Sequence, residues 1–143
     1  MLSNKCKYAF RAVLYLAVEG HEKDRLNSIS IAESLNIPVP YMGKILQELA
    51  KKRIITSSKG PNGGFYLREE NYSLPLMKIV EAIDGLDVFN QCGLGLTSCS
   101  SEHPCPIHDD FKVGRDHLSS LFQTKTIAHI TEEIKIKDYF LVG

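Results

Sequence analysis

The chain has 143 residues, room for one compact domain or for a small domain carrying an added assembly element. Hydrophobic residues make up 43%, which excludes a disordered chain, and no apolar run approaches the ~20 residues that cross a bilayer. The zero net charge hides two unlike halves: residues 1–70 carry 11 Lys/Arg against 7 Asp/Glu, and residues 71–143 carry 6 against 10. A basic half suits a polyanion partner. No signal-peptide pattern opens the sequence, so a cytoplasmic protein with reduced thiols is expected.

Residues 3–19 place Tyr8, Val13, Leu14, Leu16 and Ala17 at near-helical spacing, and Gly20 supplies a stop, which predicts a first helix. Residues 21–27 form a polar loop. Ser30-Ile-Ala-Glu33 has the form of a capping box, predicting a short helix that opens there and ends near Leu35. Asn36-Ile-Pro38-Val-Pro40 breaks it. From about residue 40 to 52, Met42, Ile45, Leu46 and Leu49 share one helical face, while Lys44, Gln47 and Lys51 lie on others. Residues 54–59 and 65–68 have strand composition and flank Gly60-Pro-Asn-Gly-Gly64, which predicts a hairpin. Ser73 is expected to cap the next helix, with Pro75 in its first turn, an apolar stripe of Leu76, Ile79, Val80 and Ile83, and Gly85 at its end. A long amphipathic helix over about 106–123 carries Phe111, Leu118, Leu121 and Phe122. Thr126 caps a last short helix through Ile127, Ile130 and Ile134, and residues 138–143 have no clear assignment.

The expected class is therefore mainly α with a small β-hairpin. Two helices joined by a tight break and followed by a glycine-tipped hairpin describe a winged helix-turn-helix. Its second helix enters a major groove and its hairpin lies on the backbone or minor groove. Donors near the start of that helix, Tyr41 and Lys44, are the candidates for base contact. Lys59, Asn62 and Arg68 of the wing are placed for phosphate or minor groove, and Gly60, Gly63 and Gly64 let the backbone approach. Lys5, Lys7 and Arg11 on the first helix complete the candidate DNA surface. For each lysine the plain alternative is a solvated surface charge, and for Tyr41 a core aromatic.

Three cysteines and a histidine fall within seventeen residues, as Cys92-x6-Cys99-x5-Cys105-Pro-Ile-His108. The intervening residues are rich in Gly, Ser and Thr and read as a loop. Thiols this dense without a secretion signal bind a metal or a cluster, or do redox chemistry. Three cysteines and an imidazole serve an iron–sulfur cluster or a zinc ion alike, and three thiols that bind nothing remain a third reading. His103 reads as a loop residue because Pro104 follows it. Asp109 and Asp110 suit the first turn of the long helix through its dipole.

With these motifs in hand, the chain resembles the Rrf-two family of bacterial winged-helix transcriptional regulators. The resemblance rests on Lys5-Cys-Lys-Tyr8-Ala9, on Ile37-Pro-Val-Pro-Tyr41 with Leu46 and Leu49, and on the Gly60–Gly64 wing with Leu67. The three-cysteine loop and Thr126-Ile-Ala-His-Ile130 extend it over essentially the whole chain. It implies a homodimer joined through the long helices, reading a palindromic operator, most simply as a repressor. It also implies that Cys92, Cys99 and Cys105 ligate a [2Fe–2S] or [4Fe–4S] cluster that senses iron–sulfur status, redox or nitric oxide. In IscR-like members the fourth ligand matches His108. In NsrR-like members it comes from the other subunit's first helix, where Cys6 stands here. The sequence departs from the family in two places. The first cysteine gap is six residues rather than five, and Gly43 replaces a carboxylate of IscR-like members that tunes site choice.

The implied organisation is a winged helix-turn-helix domain over 1–84, a cysteine-rich loop over 85–108, and a dimerisation helix with a C-terminal segment over 106–143. A cluster-free thiol- or zinc-dependent regulator of the same fold is the nearest alternative. An iron–sulfur electron-transfer or cluster-carrier protein is the alternative from another class, and it leaves the basic half unexplained. No nucleophile–base pair or Walker lysine appears, so no enzyme is expected.

Overall fold

The computed structural model describes residues 1–142. Helix α1 (Asn4–Glu19) starts where the Ser3 hydroxyl accepts from the Cys6 N–H at 3.0 Å, and stops where the Gly20 N–H returns to Leu16 O at 2.8 Å. Ala9, Ala12, Val13, Leu16 and Ala17 recur along its length and are buried, so α1 runs through the core.

Helix α2 (Ser28–Leu35) begins two residues before the capping box expected at Ser30–Glu33. Asn27, a strong N-cap residue, accepts the Ser30 N–H on its side-chain oxygen at 2.8 Å. Ser30 is thereby inside the first turn, and Glu33 stays exposed. Asn36 ends α2 in the left-handed conformation at φ 55°. Helix α3 (Val39–Lys51) follows with Pro40 in its first turn and buries Met42, Ile45, Leu46 and Leu49.

The wing strands β1 (Thr56–Ser58) and β2 (Gly64–Tyr66) are shorter than the sequence suggests and pair antiparallel, with Ser57 opposite Phe65. Leu26 adds a further rung through its N–H to Phe65 O at 3.1 Å and its carbonyl from Phe65 N at 2.8 Å. At Gly64 a Cβ would stand 2.7 Å from Leu26 O, so only glycine admits this third strand-like segment. Gly60 holds φ +103° at the tip, a value that L side chains rarely adopt.

After the wing, the helix expected from Ser73 starts later, at Met77, and a separate turn precedes Ser73. Glu69–Tyr72 form a single turn, α4, which Ser73 closes with its hydroxyl donating to Glu70 O at 2.9 Å. Helix α5 runs only over Met77–Ile83. The intervening Leu74–Leu76 segment is not yet helical, and it bonds to the distant junction at Lys125–Ile127. Leu76 N donates to Lys125 O at 2.9 Å, and Ile127 N to Leu74 O at 3.0 Å. Pro75 therefore lies in a bridge and not in a first turn.

A 3-10 turn (Leu86–Phe89) leads into the cysteine loop, and α6 (His108–Thr124) and α7 (Ile127–Lys137) close the chain. Thr126 caps α7 as expected, accepting from His129 N at 3.2 Å. Ile127 joins the same core as α1, while Cys6, Met77, Val80 and Phe89 form a smaller cluster extended by Phe122 and Leu118. Arg11, expected on the DNA-facing surface from its position in the first helix, is consumed internally. Its Nε donates to Leu141 O at 2.6 Å and its Nη2 to Leu35 O at 2.5 Å, tying the C-terminal tail to the end of α2. Among the described residues no helix is long and apolar enough to cross a membrane.

Candidate metal centre and nucleic-acid interface

The loop over 90–107 has no regular secondary structure, and its shape brings the three cysteines to the start of α6. The Sγ atoms of Cys92, Cys99 and Cys105 all lie within 4.8 Å of one another, with Cys92 and Cys105 3.6 Å apart. His108, the first residue of α6, places Nδ1 3.1 Å from Cys99 Sγ, and its Nε2 is buried without a hydrogen-bond partner among the described residues. His103 is exposed, and its backbone N–H donates to Ser100 Oγ, a loop role.

The local electrostatics favour a thiolate. The N–H groups of Leu96 and then Leu94 aim at Cys92 and lower its pKa to about 7, whereas desolvation raises that of Cys105. Sulfur ligands 2.3 Å from one tetrahedral ion stand roughly 3.8 Å apart, close to the separation of Cys92 and Cys105. Three soft sulfurs and an imidazole converging this tightly fit a thiophilic metal or a cluster. The buried Nε2 of a half-buried imidazole, left without a hydrogen-bond partner among the described residues, fits a ligand role.

Cys6 stands apart from this set. It is fully buried, and desolvation followed by the nearby Asp84 pushes its thiol up to about 12. A ligand role for Cys6 would need α1 to leave α5 and the 3-10 turn. Within the chain, His108 is the histidine or cysteine that accompanies the other three.

The exposed side of α3 carries Pro40, Lys44, Gln47 and Lys51, opposite its buried face. A Cβ at Gly43 would meet nothing within 4 Å, so this face has a notch near its start. Tyr41 is half-buried, with its ring edge-on to Tyr8 at 5.6 Å, which favours the core-aromatic alternative. Lys5 is paired with Glu48 at 2.5 Å, while Lys7 is exposed. On the wing, Lys59, Asn62 and Arg68 are exposed, and Gly63 and Gly64 partly so.

Gln47 and Lys51 of α3 share a trench of about 720 Å³ with Ser28 at the start of α2 and with Lys59, Gly63 and Gly64 of the wing. Sequence reasoning marked Gln47 and Lys51 only as lying off the apolar face, and it missed Arg25 altogether. The Arg25 guanidinium stacks 5.3 Å from the centre of the Tyr66 ring and donates to Ser58 Oγ at 2.9 Å. Arg68 approaches the same ring at 6.0 Å. Arg25 sits among Glu22, Lys23 and Asp24, a mixed-charge loop, so only the packing of that loop on the wing singles it out.

Residues 2–133 match the Rrf2 (Rrf-two) family model, described as "Iron-dependent Transcriptional regulator". An HTH-type transcriptional regulator of Aquifex aeolicus is 31% identical over 130 residues, covering 89% of this chain and 88% of that protein. The HTH-type transcriptional regulator IscR of Escherichia coli is 23% identical over 137 residues, 96% of this chain and 83% of the relative. Among solved structures, CymR of B. subtilis, the global cysteine regulator, superposes with a TM-score of 0.74 at 17% identity over 93% of this chain and 97% of its own. IscR of T. potens gives 0.73 at 18% identity over 98% and 92%. At these identities the two structures establish the winged-helix fold.

Proposed function

The chain belongs to the Rrf2 family of transcriptional regulators, and from that premise we propose that it is a homodimeric, cytoplasmic repressor whose operator affinity follows occupancy of the Cys92–Cys99–Cys105–His108 site. The observation that carries the reading is the convergence of three thiols and the His108 imidazole at the first turn of α6. The proposed occupant is an iron–sulfur cluster, for which the donor set and the family description speak. When bound, it supplies an oxidisable, labile cross-link between the loop and α6.

The remaining parts of the reading rest on the chain's own residues. Lys44, Gln47 and Lys51 of α3 face a major groove, and Lys59, Asn62, Gly63, Gly64, Arg68 and Arg25 hold phosphates at the wing. Lys7 adds a backbone contact from α1. Tyr41 shapes the start of α3 from its place against Tyr8. Helix α6 has seventeen residues of which none is buried, and Val113 (71% exposed) and Leu121 (41%) face outward. A second copy is the partner this helix fits, which places two α3 helices on grooves ~34 Å apart along a palindromic operator.

Zinc is the second reading, and the 3.6 Å Cys92–Cys105 separation, close to one tetrahedral edge, favours it. The test compares operator binding by metal-loaded and metal-stripped protein at one salt concentration, with iron, acid-labile sulfide and zinc assayed on the same sample. Iron with sulfide and a difference in affinity support the cluster reading. Zinc alone supports the second. Equal affinity of the two forms overturns sensing through this site.

A further inference from the structure

Beyond the four donors, the face of α6 that begins with His108 continues through Phe111 and Arg115, three and seven residues on. Both touch the chain on either side of Cys92. Arg115 Nη1 donates to the carbonyl of Gln91, the residue before Cys92, at 2.5 Å. Its guanidinium lies 5.8 Å from the centre of the Phe111 ring. The residue after Cys92 is Gly93, and it lies against that ring. A Cβ there would stand 2.7 to 2.9 Å from Phe111 Cδ2, Cγ and Cε2. The loop then turns so that Leu94 N–H meets Cys92 Sγ at 3.4 Å and Gly95 N–H meets Cys92 O at 3.0 Å.

Cys92 is therefore gripped at both flanks by the helix whose first residue is His108. An arginine stacked on a phenylalanine of a surface helix is ordinary packing by itself. Two features go beyond that. The contacts bracket one donor and spring from the element that bears another, and Arg115 Nε is buried with no acceptor among the described residues. Gly93 is also required by the ring, since any side chain would collide with it.

We infer that Arg115 and Phe111 form a strut that positions Cys92 against α6, presenting Cys92 and His108 to the metal as one preset pair. The strut gives the loop's state a direct hold on α6 through Gln91 and Arg115. This inference rests on the metal-centre reading above. Arg115 and Phe111 are positioning residues and bind no metal themselves.

The probe is cobalt(II), added to the full-length metal-free protein, with zinc(II) affinity measured by competition against a chromophoric chelator. Arg115→Met keeps the stem and removes the donors. Gly93→Ala inserts a Cβ into the ring, and Gly93→Ala/Phe111→Leu removes the ring it meets. Arg115→Met and Gly93→Ala are expected to lower zinc affinity about 10- to 100-fold. Both should also weaken the sulfur-to-cobalt charge-transfer band as Cys92 drops out. The double variant is expected to recover most of the Gly93→Ala loss. A role confined to packing would change the melting temperature of the metal-free protein and leave the cobalt spectrum intact, and that result overturns the strut. Wild-type affinity and spectrum in Arg115→Met also overturn it while leaving the metal centre standing. Failure of the wild-type protein itself to take cobalt, zinc or a reconstituted iron–sulfur cluster overturns the metal-centre reading, and the strut with it.

Discussion

Asn71 offers the sharpest test of how the wing is attached. It is 4% exposed, and its side chain makes three hydrogen bonds. Its Oδ1 accepts from Thr56 Oγ1 at 3.0 Å and from Arg68 N at 2.8 Å, and its Nδ2 donates to Arg53 O at 3.1 Å. One side chain thus joins the turn after α3, the first wing strand and the exit from the second. It also steadies Arg53, a non-glycine residue at φ 60°. In Asn71→Leu the volume is nearly kept, and three partners lose their bond. At about 1 kcal/mol net per bond the loss is about 3 kcal/mol. For a chain of this length that lowers Tm by roughly 10 °C. Urea unfolding of the metal-free protein measures it directly, with an unchanged m value showing that the transition itself is unaltered. A loss below about 1 kcal/mol at constant m would refute the reasoning, because the three partners would then have been satisfied by water at little cost. Operator affinity should fall alongside stability, since the proposed phosphate contacts of the wing depend on the same anchor.

Each of Lys59→Ala and Arg68→Ala removes one phosphate contact per protomer, and in a dimer is expected to reduce the slope of log K against log salt by about 2, measured by operator titration across salt concentrations. Lys5→Ala should leave that slope unchanged, because its amine is paired with Glu48. The same pair sets a pH dependence. Hydrogen bonding and charge from Lys5 hold the Glu48 carboxyl below the usual carboxylate range. The stabilisation is therefore complete above the unfolded carboxyl's pKa of about 4.3 and is lost as pH falls through the lower folded value. Both side chains keep about a third of their exposure, 35% and 29%, so the effect stays below about 1 kcal/mol. Glu48→Gln should flatten the acid limb of stability against pH by that amount. Finally, mass spectrometry after brief alkylation of the native metal-free protein should show three modified cysteines, with Cys6 modified only on unfolding, since it is buried with a thiol pushed up to about 12.

Much of the fold was legible because it is written locally. The 42–45–46–49 spacing made α3 a helix with one buried face, and Gly60-Pro-Asn-Gly-Gly64 made the wing. Thr126 capped α7 as its hydroxyl and position required. The errors came where a partner lies far away in sequence. Ser73 and Pro75 look like a helix start, but the bonding of residues 74–76 to 125–127 delays the helix to Met77. Ser30 looks like a cap, but Asn27 takes its N–H first. Arg11 and Lys5 look like free charges, yet Leu35 and Leu141 carbonyls claim one and Glu48 the other. Nothing in the mixed-charge loop announced that Arg25 would stack on Tyr66.

By itself, then, the sequence determined the winged helix-turn-helix and the identity of four clustered donors, because helix periodicity, turn chemistry and cysteine spacing act over a few residues. Tertiary structure alone decided which donors meet, which cations stay free and what grips the cysteine loop. A side chain's availability depends on its neighbours in space, and those neighbours come from residues tens of positions away: Asp84 beside Ser3, Leu141 on Arg11, Arg115 on Gln91.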